Sequence, residues 1–73
     1  MSETTEALNY AKACLDEARN NLRELRGDIR RGAPPKEIRS RARLVRFCLR
    51  GARSNLRRFR ILQAREAVHG GAR

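Results

Sequence analysis

The sequence GAPPKEI, from Gly32 to Ile38, divides this chain into two halves. Gly32 is the residue type that most often closes a helix, because glycine adopts a left-handed conformation at little cost. Pro34 and Pro35 cannot continue a helix, but a proline suits the first position of a new one. The stretch therefore predicts that one helix ends here and that a second begins directly after it.

The 73 residues are expected to form a single helical-hairpin domain, because a chain of this length has room for one small core at most. We predict a first helix over residues 4–31, a loop at 32–34 and a second helix over 35–68. Residues 69–73, with the sequence HGGAR, are predicted to be a flexible tail.

Apolar residues recur at alternating spacings of three and four on both sides of the loop, which is typical of a helix that buries one stripe. We call these two series the predicted stripe. The first series is Leu8, Ala11, Leu15, Ala18, Leu22, Leu25 and Ile29, and the second is Ile38, Ala42, Val45, Leu49, Ala52, Leu56 and Phe59.

A loop this short returns the second helix antiparallel to the first. When the two series are aligned across the loop, the numbers of each facing pair sum to 67, as for Ala18 with Leu49 and Leu22 with Val45. The predicted fold is an all-α, antiparallel two-helix hairpin that resembles a coiled coil. Dimerisation into a four-helix bundle is left open at this point.

The charge of the chain is large and unevenly distributed. The formal net charge is +10, and residues 1–33 carry six basic and six acidic side chains, so the whole excess lies in residues 34–73. Sixteen of the 18 basic residues are arginine, whose planar guanidinium pairs well with phosphate and carboxylate. This asymmetry indicates an acidic partner, either nucleic acid, an anionic membrane surface or an acidic protein.

Arginines follow the predicted stripe along one side of both helices, because in an antiparallel pair the residue after each stripe residue lies on the same side. Repeated like charges at this spacing cost stability unless an anion compensates them. We call this set the arginine face and predict that it binds nucleic acid. It consists of Arg19, Arg23, Arg26, Arg30, Arg39, Arg43, Arg46, Arg50, Arg53, Arg57 and Arg60.

Few aromatic residues accompany these arginines. The chain has only Tyr10, Phe47 and Phe59, so few aromatic side chains are available to stack on bases. Contacts with phosphates and with RNA shape are therefore expected, and RNA is favoured over DNA. Membrane binding is disfavoured, because the apolar stripe is used within the hairpin and the chain has no tryptophan.

A second candidate surface lies on the other side of the predicted stripe, which we call the opposite side. Leu44, Phe47, Cys48 and Gly51 form an apolar cluster there, in which the glycine would let another backbone approach. We expect this patch to dock a partner protein or a second copy of the chain, because a hairpin of this size needs further burial.

Residues for catalysis or metal binding are not apparent in the sequence. Two cysteines and the single His69 do not form a metal cluster, and we find no catalytic triad, phosphate loop or paired carboxylates. We expect no enzymatic activity, no cofactor and no small-molecule substrate. A cytoplasmic protein is expected, because the sequence shows no signal peptide and no apolar run of about 18 residues.

Two resemblances concern the class of protein only. The alternation of small and large residues, as in Leu15 with Ala52 and Ala18 with Leu49, resembles Rop-type helical hairpins, which dimerise into a four-helix bundle that binds RNA. The arginine-rich helix from Arg39 to Arg60 is similar to small phage-encoded transcription regulators. These are antiterminators and inhibitors that bind RNA polymerase, RNA or both, and the resemblance would imply the host cytoplasm as the location.

Three hypotheses for the function follow. The first is a small regulatory protein that binds nucleic acid, RNA above all, through the arginine face. The second is a protein-binding regulator that docks on a large host complex such as RNA polymerase, with the patch of Leu44, Phe47 and Cys48 as its apolar anchor. The third is a structural role, as a basic subunit of a larger ribonucleoprotein.

Overall fold

The computed structural model describes residues 2–71, with side chains described for residues 2–69. Helix α1 runs over Glu3–Arg30 and helix α2 over Pro35–Gly71, and the two pack against each other as an antiparallel hairpin. Residues 2–71 contain no strand. The predicted all-α hairpin is therefore confirmed.

Helix α2 extends beyond the predicted end at residue 68. His69, Gly70 and Gly71 are helical, so the prediction of a flexible tail is wrong for these three residues. A glycine at a helix end costs only about 1 kcal/mol relative to alanine, which does not interrupt a series of backbone hydrogen bonds that is already formed. Residues 72–73 of the predicted tail lie outside the described residues.

The loop joins the helices through a Schellman motif. Gly32 has a φ of +72°, and its N–H donates to the Ile29 carbonyl at 3.1 Å, while the Ala33 N–H donates to the Asp28 carbonyl at 2.9 Å. These bonds satisfy carbonyls that the end of α1 would otherwise leave unpaired. The Pro34 carbonyl then accepts the first hydrogen bonds of α2, from Glu37 and Ile38.

The residues between the helices form two heptad series, which we call the observed seam. Every member is buried or half-buried. On α1 the observed seam consists of Thr4, Ala7, Ala11, Cys14, Ala18, Asn21, Leu25 and Asp28, and on α2 of Ile38, Arg41, Val45, Cys48, Ala52, Asn55, Phe59 and Leu62.

The predicted alignment along the helix axes agrees with the structure, but the predicted rotation of the helices does not. Cys48 contacts both Glu17 and Asn21. The residue numbers of one pair sum to slightly less than the predicted 67, and those of the other pair sum to slightly more. However, Leu15, Leu22 and Leu49 are 39%, 38% and 48% exposed, although the prediction placed them in the core. Both helices are rotated so that part of the predicted stripe faces solvent.

Small side chains explain this rotation. The buried apolar residues are Ala7, Ala11, Ala18, Ala33, Cys48 and Ala52, and among the described residues no large side chain is fully buried. Alanines on facing helices allow the two backbones to approach closely. The larger leucines fit only at the edge of so narrow a seam.

The hairpin is a thin rod with a small core. It measures 61 × 16 × 14 Å and has a radius of gyration of 17.1 Å, whereas a compact domain of this length would have roughly 11 Å. Its accessible surface of 6059 Å² exceeds by about 1,400 Å² the value expected for a compact monomer of this mass. The fold therefore leaves surface that a partner can cover.

Candidate nucleic-acid interface

All eleven residues of the arginine face are exposed. Because the helices are rotated relative to the prediction, these arginines form two rows on each helix. The inner row lies nearer the other helix, and the outer row lies about 40° further around each helix, on its back. The inner row is Arg19, Arg26, Arg39, Arg46, Arg53 and Arg60, and the outer row is Arg23, Arg30, Arg43, Arg50 and Arg57.

None of these eleven arginines forms an ion pair with the side chains of residues 2–69. The four ion pairs found in that range all involve Arg31 or Arg41, near the loop. Three of the eight acidic residues, Glu24, Asp28 and Glu37, accept these ion pairs. The arginine face therefore presents uncompensated positive charge along about 32 Å of α2, from Arg39 to Arg60.

A groove with apolar walls runs between the arginine rows of the two helices. Leu15 and Leu22 of α1 and Leu49 and Leu56 of α2 form its walls, and we call it the leucine groove. Two consecutive depressions, of about 210 and 580 Å³, share Leu15 and Leu49. Arginines line the same depressions, namely Arg19, Arg53, Arg57 and Arg60.

The leucine groove was not predicted, although the sequence contains a signal for it. In much of each helix three of every seven residues are apolar or small, and this stripe is wider than the seam of two helices can cover. The leucines at the edge of that stripe are consequently left between the seam and the arginines. A two-helix hairpin with such a stripe should always expose one apolar edge.

Asp28 anchors the opposite side near the loop. Its carboxylate is buried and accepts hydrogen bonds from Arg31 Nη2 at 2.8 Å and Arg41 Nε at 3.2 Å. The hydrogen bond from Arg31 is the main cause that lowers the pKa of Asp28; burial opposes this shift, and Arg41 adds to it. Arg41 also pairs with Glu24, so it belongs to the structure of the hairpin.

The predicted docking patch is only partly a surface. Leu44 and Phe47 are 47% and 71% exposed, as a docking surface requires. Cys48 is buried in the observed seam, and a Cβ at Gly51 would lie 3.1 Å from Cys14 Sγ. The inclusion of Cys48 and Gly51 in the patch is therefore wrong, because the rotation of α2 turns both toward α1.

The two thiols are free and lie in the observed seam. Burial raises the pKa of the Cys48 thiol, and the nearby carboxylate of Glu17 raises it further. The thiol faces Glu17 Oε2 at 3.7 Å and the Asn21 amide nitrogen at 3.9 Å. Cys48 is thus kept as a neutral thiol that packs between the helices.

Among the described residues, no group of three or more His, Cys, Asp and Glu side chains is arranged to hold a metal ion. Neither described helix has an apolar segment of the length that a membrane crossing requires. No family model, curated protein or solved structure matches this chain.

Proposed function

We propose that this chain is a small, non-enzymatic regulatory protein that binds RNA through its arginine face and acts in the regulation of transcription. The observation that carries the proposal is the separation of charge described above. Eleven exposed arginines without ion pairs follow the inner and outer rows of the two helices, whereas the ion pairs in residues 2–69 lie near the loop and involve two other arginines. Such a surface is suited to neutralising phosphates.

The shape of the rod supports RNA over DNA as the ligand. Two packed helices, with a cross-section of 16 × 14 Å, are too wide to enter the B-DNA major groove together, because that groove is about 12 Å wide and admits a single α-helix. A surface formed by arginines of both helices would therefore lie across phosphate backbones. Recognition by shape and by backbone contacts is how proteins bind RNA helices, whose minor groove is wide and shallow.

Binding of labelled RNA over a salt series, followed by fluorescence anisotropy, tests this proposal. Affinity should fall steeply with salt, with a log–log slope of about −0.7 per neutralised phosphate on single strands. The variant Arg46→Glu/Arg50→Glu should bind far more weakly and show a flatter slope. Circular dichroism should show that it remains helical.

The matched control is Arg58→Glu/Arg65→Glu, which changes the net charge equally on the opposite side. Both residues are exposed and neither forms an ion pair with the side chains of residues 2–69. This control should retain most of the affinity. Equal losses in the two variants would mean that only the total charge matters, and absence of binding by the wild type at moderate salt would refute the proposal.

A second candidate function is docking on a protein of a large complex such as RNA polymerase. The exposure of Leu44 and Phe47 favours it, since nucleic acid has no use for an apolar patch on the side away from the arginines. Under this alternative, Phe47→Asp should abolish partner binding or a homodimer while leaving the helix content intact. Sedimentation of a stable monomer with unchanged partner binding would show that the patch is ordinary surface.

A further inference from the structure

The leucine groove is an apolar feature that RNA binding leaves unexplained. Leu15, Leu22 and Leu49 are between 38% and 48% exposed and Leu56 is half-buried, so each has one side against the hairpin and another in water. A polyanion that binds the arginines gains nothing from these leucines. An occupant of the groove would therefore need apolar side chains of its own.

Basic residues border the leucine groove along both edges, which we call its rims. Each wall leucine has a basic residue three positions before it and another four positions after it, and residues at these spacings are neighbours on a helix surface. Lys12 and Arg19 flank Leu15, and Arg19 and Arg26 flank Leu22. On α2, Arg46 and Arg53 flank Leu49, and Arg53 and Arg60 flank Leu56.

This arrangement of charge distinguishes between the possible occupants. In a symmetric dimer formed through the groove, the same patch of each copy would face the other, so the two sets of basic residues would meet. Like charges that face each other across an interface are strongly unfavourable. A partner with acidic residues beside an apolar stripe would instead match both the walls and the rims.

We propose that the leucine groove binds an amphipathic α-helix of a partner protein, whose apolar stripe packs on the leucines and whose flanking acidic residues pair with the inner-row arginines. A helix laid into an apolar groove is an established mode of recognition. The hairpin then becomes part of a three-helix unit in which the full width of each apolar stripe is covered. A stable interface of this kind buries about 800 Å² on each partner.

The probe for the test is a synthetic peptide of about 21 residues, which as a helix is longer than the groove lining from Val45 to Arg60, about 22 Å. It carries leucine at the first and fourth positions of each heptad and glutamate on both sides of them. The glutamates also prevent the free peptide from pairing with itself. A scrambled peptide of the same composition keeps the charge but loses the apolar stripe.

The wild-type chain should bind the amphipathic peptide at least about tenfold more tightly than the scrambled one, with a gain of helix by circular dichroism. This comparison needs no variant, so it does not depend on the folding of a mutant. Equal affinity for the two peptides would overturn the proposal, because charge alone would then explain binding.

The variant Leu22→Gln/Leu49→Gln should lose at least about tenfold in affinity for the amphipathic peptide. Its control, Leu44→Gln/Phe47→Gln, removes exposed apolar surface on the opposite side and should bind normally. Loss of binding in the control alone would place the docking site on the opposite side. A wild-type dimer in sedimentation that Leu22→Gln/Leu49→Gln dissociates would show that a second copy occupies the groove.

Failure of this proposal is distinguishable from failure of the proposed RNA binding. An aliphatic side chain offers a phosphate neither a charge nor a hydrogen-bond donor, so Leu22→Gln/Leu49→Gln should bind RNA as the wild type does. A chain that binds RNA but not the amphipathic peptide would contradict only the groove proposal. A chain that binds the peptide but not RNA would contradict only the proposed function.

Discussion

Arg41 of α2 donates a hydrogen bond from Nε to Asp28 Oδ2 of α1 at 3.2 Å, next to the loop that joins the helices. Arg31 donates to the other oxygen of the same carboxylate at 2.8 Å. The buried Asp28 thus holds two arginines that come from both sides of the turn. This cluster fixes how the two helices are aligned where the hairpin begins, and it uses arginines that do not belong to the arginine face.

The stability of the hairpin should depend on pH through Asp28. Because the pKa of Asp28 is lower in the folded chain than in the unfolded one, its contribution is complete above the unfolded value of about 3.9. It is lost as the pH falls below that value through the lower pKa of the folded state. Urea unfolding at several pH values should show that Asp28→Asn is less stable than the wild type near neutrality and that this difference shrinks in acid.

The control for this experiment is Asp16→Asn, an identical change at an exposed carboxylate that forms no ion pair with the side chains of residues 2–69. It should change stability little. A difference between Asp28→Asn and the wild type that persists unchanged in strong acid would contradict the role assigned to the carboxylate.

The narrow seam predicts that enlarging an alanine is worse than truncating a leucine. Ala18 is 4% exposed, so Ala18→Leu should separate the helices and cost about 1–3 kcal/mol of the free energy of unfolding. Leu49 is 48% exposed, and Leu49→Ala should cost only about 1 kcal/mol, well below the cost for a fully buried leucine. Chemical denaturation measures both. A larger loss of unfolding free energy for Leu49→Ala than for Ala18→Leu would show that Leu49 belongs to the core and would refute the observed rotation.

The two cysteines should differ in reactivity. The thiolate is the reactive form, and both burial and the charge of Glu17 disfavour it at Cys48. Cys14 is less buried than Cys48. Iodoacetamide should therefore modify Cys14 first in the native protein, as followed by mass spectrometry, with Cys14→Ser and Cys48→Ser reporting each thiol separately. Modification of Cys48 at the rate of Cys14 would show that the seam is open.

The sequence predicts much of this fold, because the loop and the direction of the helices depend on local signals. Gly32 and the two prolines are enough to place the turn. The spacing of apolar residues predicts how the two helices are aligned along their axes. The rotation could not be predicted from spacing alone. Ala18 and Ala52 belong both to a stripe that contains the leucines and to one that contains Cys14 and Asn21.

Hydrophobicity favours burial of the stripe that contains the leucines, whereas the structure buries the stripe that contains Cys14 and Asn21. Close packing of alanines and hydrogen bonds between polar seam residues outweigh the burial of larger side chains at these positions. Arg41 and Asp28, for example, both lie in the observed seam and are joined across the helices by a hydrogen bond of 3.2 Å. The consequence for the candidate site is direct, since the displaced leucines become the walls of the groove between the arginines.

An NMR titration of the wild-type chain with a short RNA hairpin tests the central claim most directly, because it reports on each arginine separately. The Nε–Hε signals of Arg46, Arg50 and Arg53 should shift first and most strongly, since these side chains lie together on the arginine face. The signals of Arg58 and Arg65, on the opposite side, should move little at the same RNA concentration. Shifts of Arg58 and Arg65 as large as those of Arg46 and Arg50 would contradict the account.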